Sequence, residues 1–455
     1  MKLLDLFYPF PESYSKDTEK LLIKMRVASG LSVDSKSNNL FVVDPNPLTR
    51  KGTGIYELSH KGKPVGVLTL PNLGLFDSYG IAVELQGNAI WLTDTAANCL
   101  MRISRDGRIL TNLRLENHGI YQPGVIAESA DESSLFVLDR SRNLICHISK
   151  KGKKIKEISL KQAPRAIIRG VSCDPRSGNL FLSYAPLLPE ENGLIGEWGI
   201  VEVTCDGHNI RRIDTTKFGF CPLDIAFGHK GDVLYAISRE FVLPQTIGDH
   251  AHIFVLDTCA DAEDRTNPNY NIVMHFLKQN NLYASHGLWE GTNRWDRLPV
   301  HVRIEGLIDM SVEDVKDVFY EWAELSSGRI TFQFMNTSLK EGIYFTQGKY
   351  AFSSSGPKRN EIVTVSVCDK RNLTCHPHRM NRSHVQRNVA RHEIGHAIGF
   401  SGHSPRFRID TMNSISGFSD HISKEEAAFM TILYSHPPKT QATVIEKSVK
   451  QLTKQ

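Results

Sequence analysis

Residues 391–405, RHEIGHAIGFSGHSP, place two histidines four apart with a glutamate directly after the first. On a helix, positions four apart share a face, so His392 and His396 can offer imidazole nitrogens to one cation. Glu393 lies about 100° further round the helix. That is out of line for an equivalent ligand but near enough to serve a water held between the rings. A catalytic zinc takes three protein ligands and keeps one position open, so a third ligand must come from chain that has left the helix. Gly399 supplies the exit, because glycine accepts the left-handed conformation that ends helices. His403 follows after Phe400, Ser401 and Gly402, one residue more than the HExxHxxGxxH spacing contains. Gly402 is the residue expected to absorb the extra one, as a bulge at positive φ.

Nine residues beyond His403, Met412 sits in DTMNS, where a methionine turn would pass beneath such a site. His376, His378 and His384, in CHPHRMNRSH, read either as a second ion site or as a solvated basic loop. Ligands for an additional structural Ca2+ or Zn2+ are not identifiable, and no substrate-binding residue can be named.

The elements that must hold these residues are legible around them. LPVHVRI (298–304) alternates as a half-buried strand. SVEDVKDVFYEWAELSSG (311–328) reads as a helix capped by Ser311, with Val315, Val318, Phe319, Trp322 and Leu325 on its inner face, stopping at Gly328. ITFQFM (330–335) and EIVTVSV (361–367) read as strands, GIYFTQGKYAF as a weaker pair. A helix starting at Asn381 or Ser383 carries the histidines. A last helix begins at Ser423 with Glu426 in a capping box, and turns Met430, Leu433 and Tyr434 inward.

The first half of the chain repeats itself. GLSVDSKSNNLFVVD, GIAVELQGNAIWLTD, GVIAESADESSLFVLD, GVSCDPRSGNLFLSY and LDIAFGHKGDVLYAIS are each two β-rich runs about a polar turn. Most are followed by a second hairpin, with turn glycines at Gly62, Gly107, Gly152 and Gly207. Two hairpins per repeat make a four-stranded blade, and radial repetition makes a β-propeller of five or six blades. HIFVLDT (252–258) reads as the third strand of a fifth blade, and KLLIKMRV (20–27) as an outer strand that closes the ring. Long insertions at 44–54, 185–199 and 239–251 fall between second and third strands. They therefore project from one face, where Trp198, Phe241 and His250 are candidate contacts for an unknown partner.

The expected organisation is an N-terminal segment with a ring-closing strand (1–28), a propeller (29–260), a linker (261–285), an α/β domain with the histidines (286–437) and a polar tail (438–455). Lys and Arg number 54 against 50 Asp and Glu, a balance that argues against a nucleic-acid partner. No apolar stretch approaches the roughly 20 residues of a membrane span, and the opening MKLLDLFYPFPESYSK is not a secretory signal. Eight cysteines without a CxxC pair do not form a disulfide framework. Cys368 and Cys375 flank a short loop, where a bridge and two separate thiols are both open.

HEIGHAIGFSGHS, the methionine turn DTMNS, the opening strand RWDRLPVHVRI and the closing helix ISKEEAAFMTILY together make residues 286–437 resemble a metzincin zinc metalloprotease of the matrixin branch. The repeats resemble NHL-type propellers. The protease resemblance implies one catalytic Zn2+ on His392, His396 and His403, with Glu393 as general base. It also implies hydrolysis of peptide bonds in protein substrates by metal-activated water, extended substrate added along a sheet edge within 345–358, and an extracellular or secreted location. Asn413 and Ser414 depart from the residues usual after the methionine, and no cysteine-switch segment occurs, so neither the specificity pocket nor latency carries over. The alternative is a binding protein whose propeller carries the function and whose zinc-holding module does not turn over.

Overall fold

The computed structural model describes residues 2–7, 29–44, 53–70, 78–159, 166–186, 198–239, 251–258, 268–285, 294–354, 356–357, 360–373, 382–404, 406, 409–413, 419–437, 440 and 442–452. The chain divides into two compact units, the first covering Met1–Pro189 and Gly196–Glu263, the second Glu190–Ile195 and Asp264–Gln455.

The first unit is a five-bladed β-propeller. The N-terminal strand is β1 (Lys2–Phe7). Blade one holds β2 (Gly30–Val33), β3 (Leu40–Asp44), β4 (Thr53–Leu58) and β5 (Pro64–Leu70). Blade two holds β6 (Ser78–Val83), β7 (Ala89–Asp94), β8 (Cys99–Ser104) and β9 (Ile109–Arg114). Blade three holds β10 (Pro123–Glu128), β11 (Ser134–Asp139), β12 (Leu144–Ser149) and β13 (Lys154–Ile158). Blade four holds β14 (Ala166–Cys173), β15 (Leu180–Pro186), β16 (Gly199–Val203) and β17 (Asn209–Asp214). Blade five is β18 (Pro222–Phe227), β19 (Val233–Arg239) and β20 (Ala251–Asp257), completed on its outside by β1.

Each innermost strand packs on the next, and β18 packs on β2, so the ring closes at five. The closing strand is Lys2–Phe7, antiparallel to β20, with Leu3 buried. KLLIKMRV lies outside the described residues. An early strand on the last blade turns an otherwise free β20 edge into a paired one. All four turn glycines adopt positive φ, from 77° to 87°.

The core lies between blades. Phe41, Val43 and Ile55 of blade one, for instance, meet Ile81, Leu92 and Met101 of blade two. Burying each such side chain contributes about 1.5–3 kcal/mol. Asp224 adds a polar clasp: its buried carboxyl group accepts the N–H of Leu31 (2.8 Å) in blade one, of Ile225 (2.9 Å), and of Val171 in blade four. The insertions do join second to third strands, but most of their residues, Phe241 and His250 among them, fall outside the described set. Trp198, expected on the recognition face, is instead buried. An indole beside the strand β16 packs inward because its large apolar surface outweighs its single N–H.

The second unit centres on a five-stranded sheet ordered β22–β21–β23–β25–β24. These are β21 (Val300–Ile304), β22 (Phe332–Phe334), β23 (Gly342–Gly348), β24 (Phe352–Ser353) and β25 (Ile362–Cys368). β24 alone runs antiparallel, on the outside of β25. The helices are α1 (Tyr270–Ser285), α2 (Val312–Leu325), α3 (Arg382–Ile398), α4 (Lys424–Ser435) and α5 (Ala442–Leu452).

Ser311 and Asp314 cap α2 reciprocally, and Val315, Val318, Phe319 and Trp322 are buried. Leu325, expected on the same face, is exposed because the helix ends there. The stretch expected as a linker carries α1, whose Ile272, Val273, Phe276 and Leu277 are buried and which packs on α4 and α5. The expected polar tail is likewise a helix, burying Ile445 and Val449. A polar run precedes the first of these helices and the second is short and mostly polar, so only the partner helices reveal their apolar faces.

Candidate metal centre

α3 carries His392, Glu393 and His396. It is covered on most sides by β25, α2 and the chain beyond it, so even its polar residues are buried and must be bonded. Arg391 forks onto Glu321 and bonds Asn388, while Trp322 Nε1 donates to the Arg391 carbonyl (3.1 Å). Gln386 donates to Asp309 (2.6 Å) and to the Cys368 carbonyl (3.1 Å).

The helix ends as the glycine foretells. Gly399, at φ 134°, donates its N–H to His396 O (3.2 Å), and Phe400 N–H bonds Gly395 O (3.0 Å). This is the reciprocal pair of a Schellman closure. Trp295 Nε1 reaches Ala397 O (2.9 Å) and Tyr434 Oη reaches Ile398 O (2.7 Å), so the last carbonyls are satisfied as well.

Beyond the turn, His403 returns to the helix. One ring nitrogen each of His392, His396 and His403 lies within 4.8 Å of the others, and the ring centroids are 4.8, 5.2 and 5.0 Å apart. The extra residue is absorbed differently from expectation. Among the described residues of this segment positive φ falls on Gly399 and not on Gly402. The Phe400 side chain, packed against Trp322, Phe276 and Phe429, anchors the start of the detour instead.

Two carbonyls set the tautomers. His392 Nδ1 lies 2.9 Å from Thr411 O, and His396 Nδ1 lies 2.9 Å from Phe400 O. A carbonyl only accepts, so each Nδ1 carries the hydrogen and each Nε2 keeps a bare lone pair. Those two Nε2 atoms are 3.1 Å apart. Two lone pairs at that distance repel unless a positive charge lies between them. A proton is disfavoured: burial, then His396 and His403, holds His392 well below the usual imidazole value. Burial also lowers His396, and burial with His396 lowers His403 to about 3. The donor set therefore fits a divalent cation with a taste for neutral imidazole, zinc foremost. Tetrahedral Zn–N bonds near 2.0–2.1 Å require N···N separations of about 3.4 Å, which the 3.1 Å pair already approaches.

Glu393 is buried beside the cluster, and burial pushes its carboxyl up to about 8 against the opposing hydrogen bond from the Ser353 backbone. That donor is on β24, the last strand in the sheet order among the described residues. The sheet edge expected within 345–358 is thus confined to Phe352–Ser353, next to the carboxyl. Tyr350 and Phe352 are exposed beside it.

Met412 is fully buried under the helix. Its N–H and that of Thr411 donate to Glu426, at 2.7 and 3.1 Å, while Glu426 also accepts the Ser423 N–H (2.8 Å) that caps α4. Met412 O takes the Ser404 N–H (2.6 Å), and Asn413 Nδ2 donates to Ser404 O (2.8 Å). One short turn therefore orients His392 through Thr411 and tethers the residue after His403. Arg406, bonded to Asp410 (2.7 Å) and Glu425 (2.9 Å), braces it from below.

Glu426, Thr411, Phe400, Trp295 and Gly395 were not singled out as site residues from sequence. The other four lie within motifs read from the sequence but had no role assigned there; Glu426 was read only as a capping-box residue, and its second duty has no sequence signal. Of the proposed second ion site, His384 is exposed on α3, while His376 and His378, like Cys375, lie outside the described residues.

No protein-family model and no curated protein sequence matches the chain. Solved structures that it resembles include Kuenenia stuttgartiensis hydrazine synthase, at 12% identity and TM-score 0.33, over 51% of this chain and 64% of that one. A Xanthomonas campestris gluconolactonase matches at 18% and 0.33, over 50% and 71%. A luciferin-regenerating enzyme matches at 14% and 0.35, over 52% and 93%. Likeness of this degree carries no argument about activity.

Proposed function

We propose that the second unit is a zinc-dependent endopeptidase of matrixin-like, metzincin type, and that the propeller serves recognition. The observation that carries this reading is the pair of bare Nε2 lone pairs on His392 and His396, met by His403, beside a buried carboxyl that the last strand of the sheet reaches through Ser353.

His392, His396 and His403 would hold the ion. Zinc bound there supplies Lewis acidity, which polarises a scissile carbonyl and makes water acidic near neutral pH. Glu393 accepts the attacking water's proton and holds it for the leaving amine. A nearby cation draws its raised value down and favours the ionised form that a base needs. An extended peptide would add alongside β24 by strand addition, and the Ser353 bond to Glu393 keeps that strand in register with the base. Thr411 and Phe400 hold two rings in the tautomer that leaves Nε2 for the ion.

The test assays zinc content and casein cleavage of wild type, Glu393→Gln and His403→Ala, with and without chelator. Wild type and Glu393→Gln should each hold about one zinc per chain, with cleavage confined to wild type and abolished by chelation. His403→Ala should bind zinc more weakly. A zinc-loaded wild type that cuts no substrate would instead leave a propeller-based binding protein. Unchanged zinc affinity in His403→Ala would remove the third ligand from the account.

A further inference from the structure

In four of the five blades the outermost strand carries one residue too many for its neighbour. Val65 lies between the pairs Glu57↔Gly66 and Leu58↔Pro64, and Leu110 between Arg102↔Thr111 and Ile103↔Ile109. Ile155 lies between His147↔Lys156 and Ile148↔Lys154, and Ile210 between Glu202↔Arg211 and Val203↔Asn209. Every bulged residue is aliphatic, and all are turned to solvent, at 56, 49, 54 and 49% exposure respectively. With Ile109 they account for all the exposed large apolar side chains among the described propeller residues except Tyr121.

A bulge in an edge strand has a ready explanation: it spoils the edge as a template for another chain. That explanation asks for lysine or proline at the position, not for a bare aliphatic side chain. The blades are related by rotation about the ring axis, and each bulge stands three residues after the equivalent turn glycine. The four tips therefore lie at one height on one rim of the disc. Lysines stand beside two of them, in the turns of blades one and three, whereas the turn of blade two carries Arg105, Asp106 and Arg108 and that of blade four Asp206 and His208. Lys61, Lys63, Lys151 and Lys153 are exposed and form no salt bridge among the described residues. Lys154 pairs only with Glu157, itself exposed.

We propose that this rim docks the propeller on an anionic lipid bilayer, with Val65, Leu110, Ile155 and Ile210 entering the headgroup region and the turn lysines meeting lipid charges. The proposal is independent of the metal centre. Separate, coplanar apolar points suit a flat and deformable medium, which receives all of them at once. A globular partner would need a contiguous apolar centre, and none joins these tips. Over the four turns together the cations outnumber the acids Asp106 and Asp206 and match the sign of an anionic leaflet, where each basic side chain strengthens attachment about fivefold, and apolar insertion adds to that attraction.

The full chain is sedimented with vesicles of phosphatidylcholine alone and with phosphatidylserine added. The expected result is binding to the mixed vesicles only, weakened by salt. The combined variant Val65→Ser, Leu110→Ser, Ile155→Ser, Ile210→Ser should lose at least tenfold in partitioning, with an unchanged thermal midpoint because all four positions are exposed. Lys61→Glu, Lys63→Glu, Lys151→Glu, Lys153→Glu should lose as much. Equal partitioning of the serine variant, or retention on heparin without any vesicle binding, would overturn the proposal. So would failure of the wild type to bind either vesicle.

Discussion

Gly395 and Met412 touch with no room for another carbon between them. A Cβ on Gly395 would overlap the methionine sulfur and come within 3.1 Å of its methyl group and 3.2 Å of Trp322 Cζ2. The glycine inside the histidine helix is thus the space into which the methionine turn rises. Gly395→Ala should cost about 1–3 kcal/mol through overpacking, although alanine is the better helix former. Thermal unfolding with parallel zinc titration checks this, and a variant as stable as wild type would mean that the turn has slack.

Glu426 accepts three backbone N–H groups, two of them from the methionine turn. Glu426→Ala leaves buried donors on Thr411 and Met412 without partners, each costing about 1–3 kcal/mol. Because Thr411 O orients His392, zinc affinity should fall about 10–100-fold. Glu426→Gln keeps one acceptor oxygen and should lose less. If both variants bind zinc like wild type, the turn does not position the ligand.

The propeller ring depends on its first strand. Removal of residues 1–7 uncovers the β20 edge and withdraws Leu3 from the core of blade five. A lower midpoint for the propeller and concentration-dependent association are expected, since an exposed edge recruits other chains. Light scattering during a thermal ramp reads both, and an unaltered midpoint would show the ring to be closed by other contacts.

Asp224 makes propeller stability depend on pH. Burial raises its carboxyl well above the ordinary value, against three backbone donors that pull it down. A group whose folded value is raised contributes fully below its unfolded value of about 3.9 and loses that contribution as pH climbs through the folded value. The midpoint of wild type relative to Asp224→Asn should therefore fall as pH rises above about 4. A difference that stays constant over this range would mean that the carboxyl titrates normally.

Periodic features were the legible ones. The blades announce themselves because each repeat sets two β-rich runs about a polar turn, and four of them go on to a glycine that takes positive φ. The N-cap at Ser311, the capping box at Ser423 and the helix stop at Gly399 were legible for the same reason: each is a local rule satisfied within five residues. α1 escaped notice because a polar run leads into it and α5 because it is short and largely polar. Trp198 was misplaced because a long loop suggests exposure, whereas one indole in it found the core.

The amino-acid sequence by itself determined the two-part organisation, the ring of hairpins, and the two histidines and glutamate on one turn of helix, since these follow from spacing along the chain. Tertiary structure alone decided that His403 comes home to that helix without a bulged Gly402. It alone decided that Glu426 serves the cap and the methionine turn together, and that the ring is shut by residues 2–7. In each case the partners are far apart in the chain, and what joins them is the need to bond every buried N–H and fill every buried space, which no local pattern encodes.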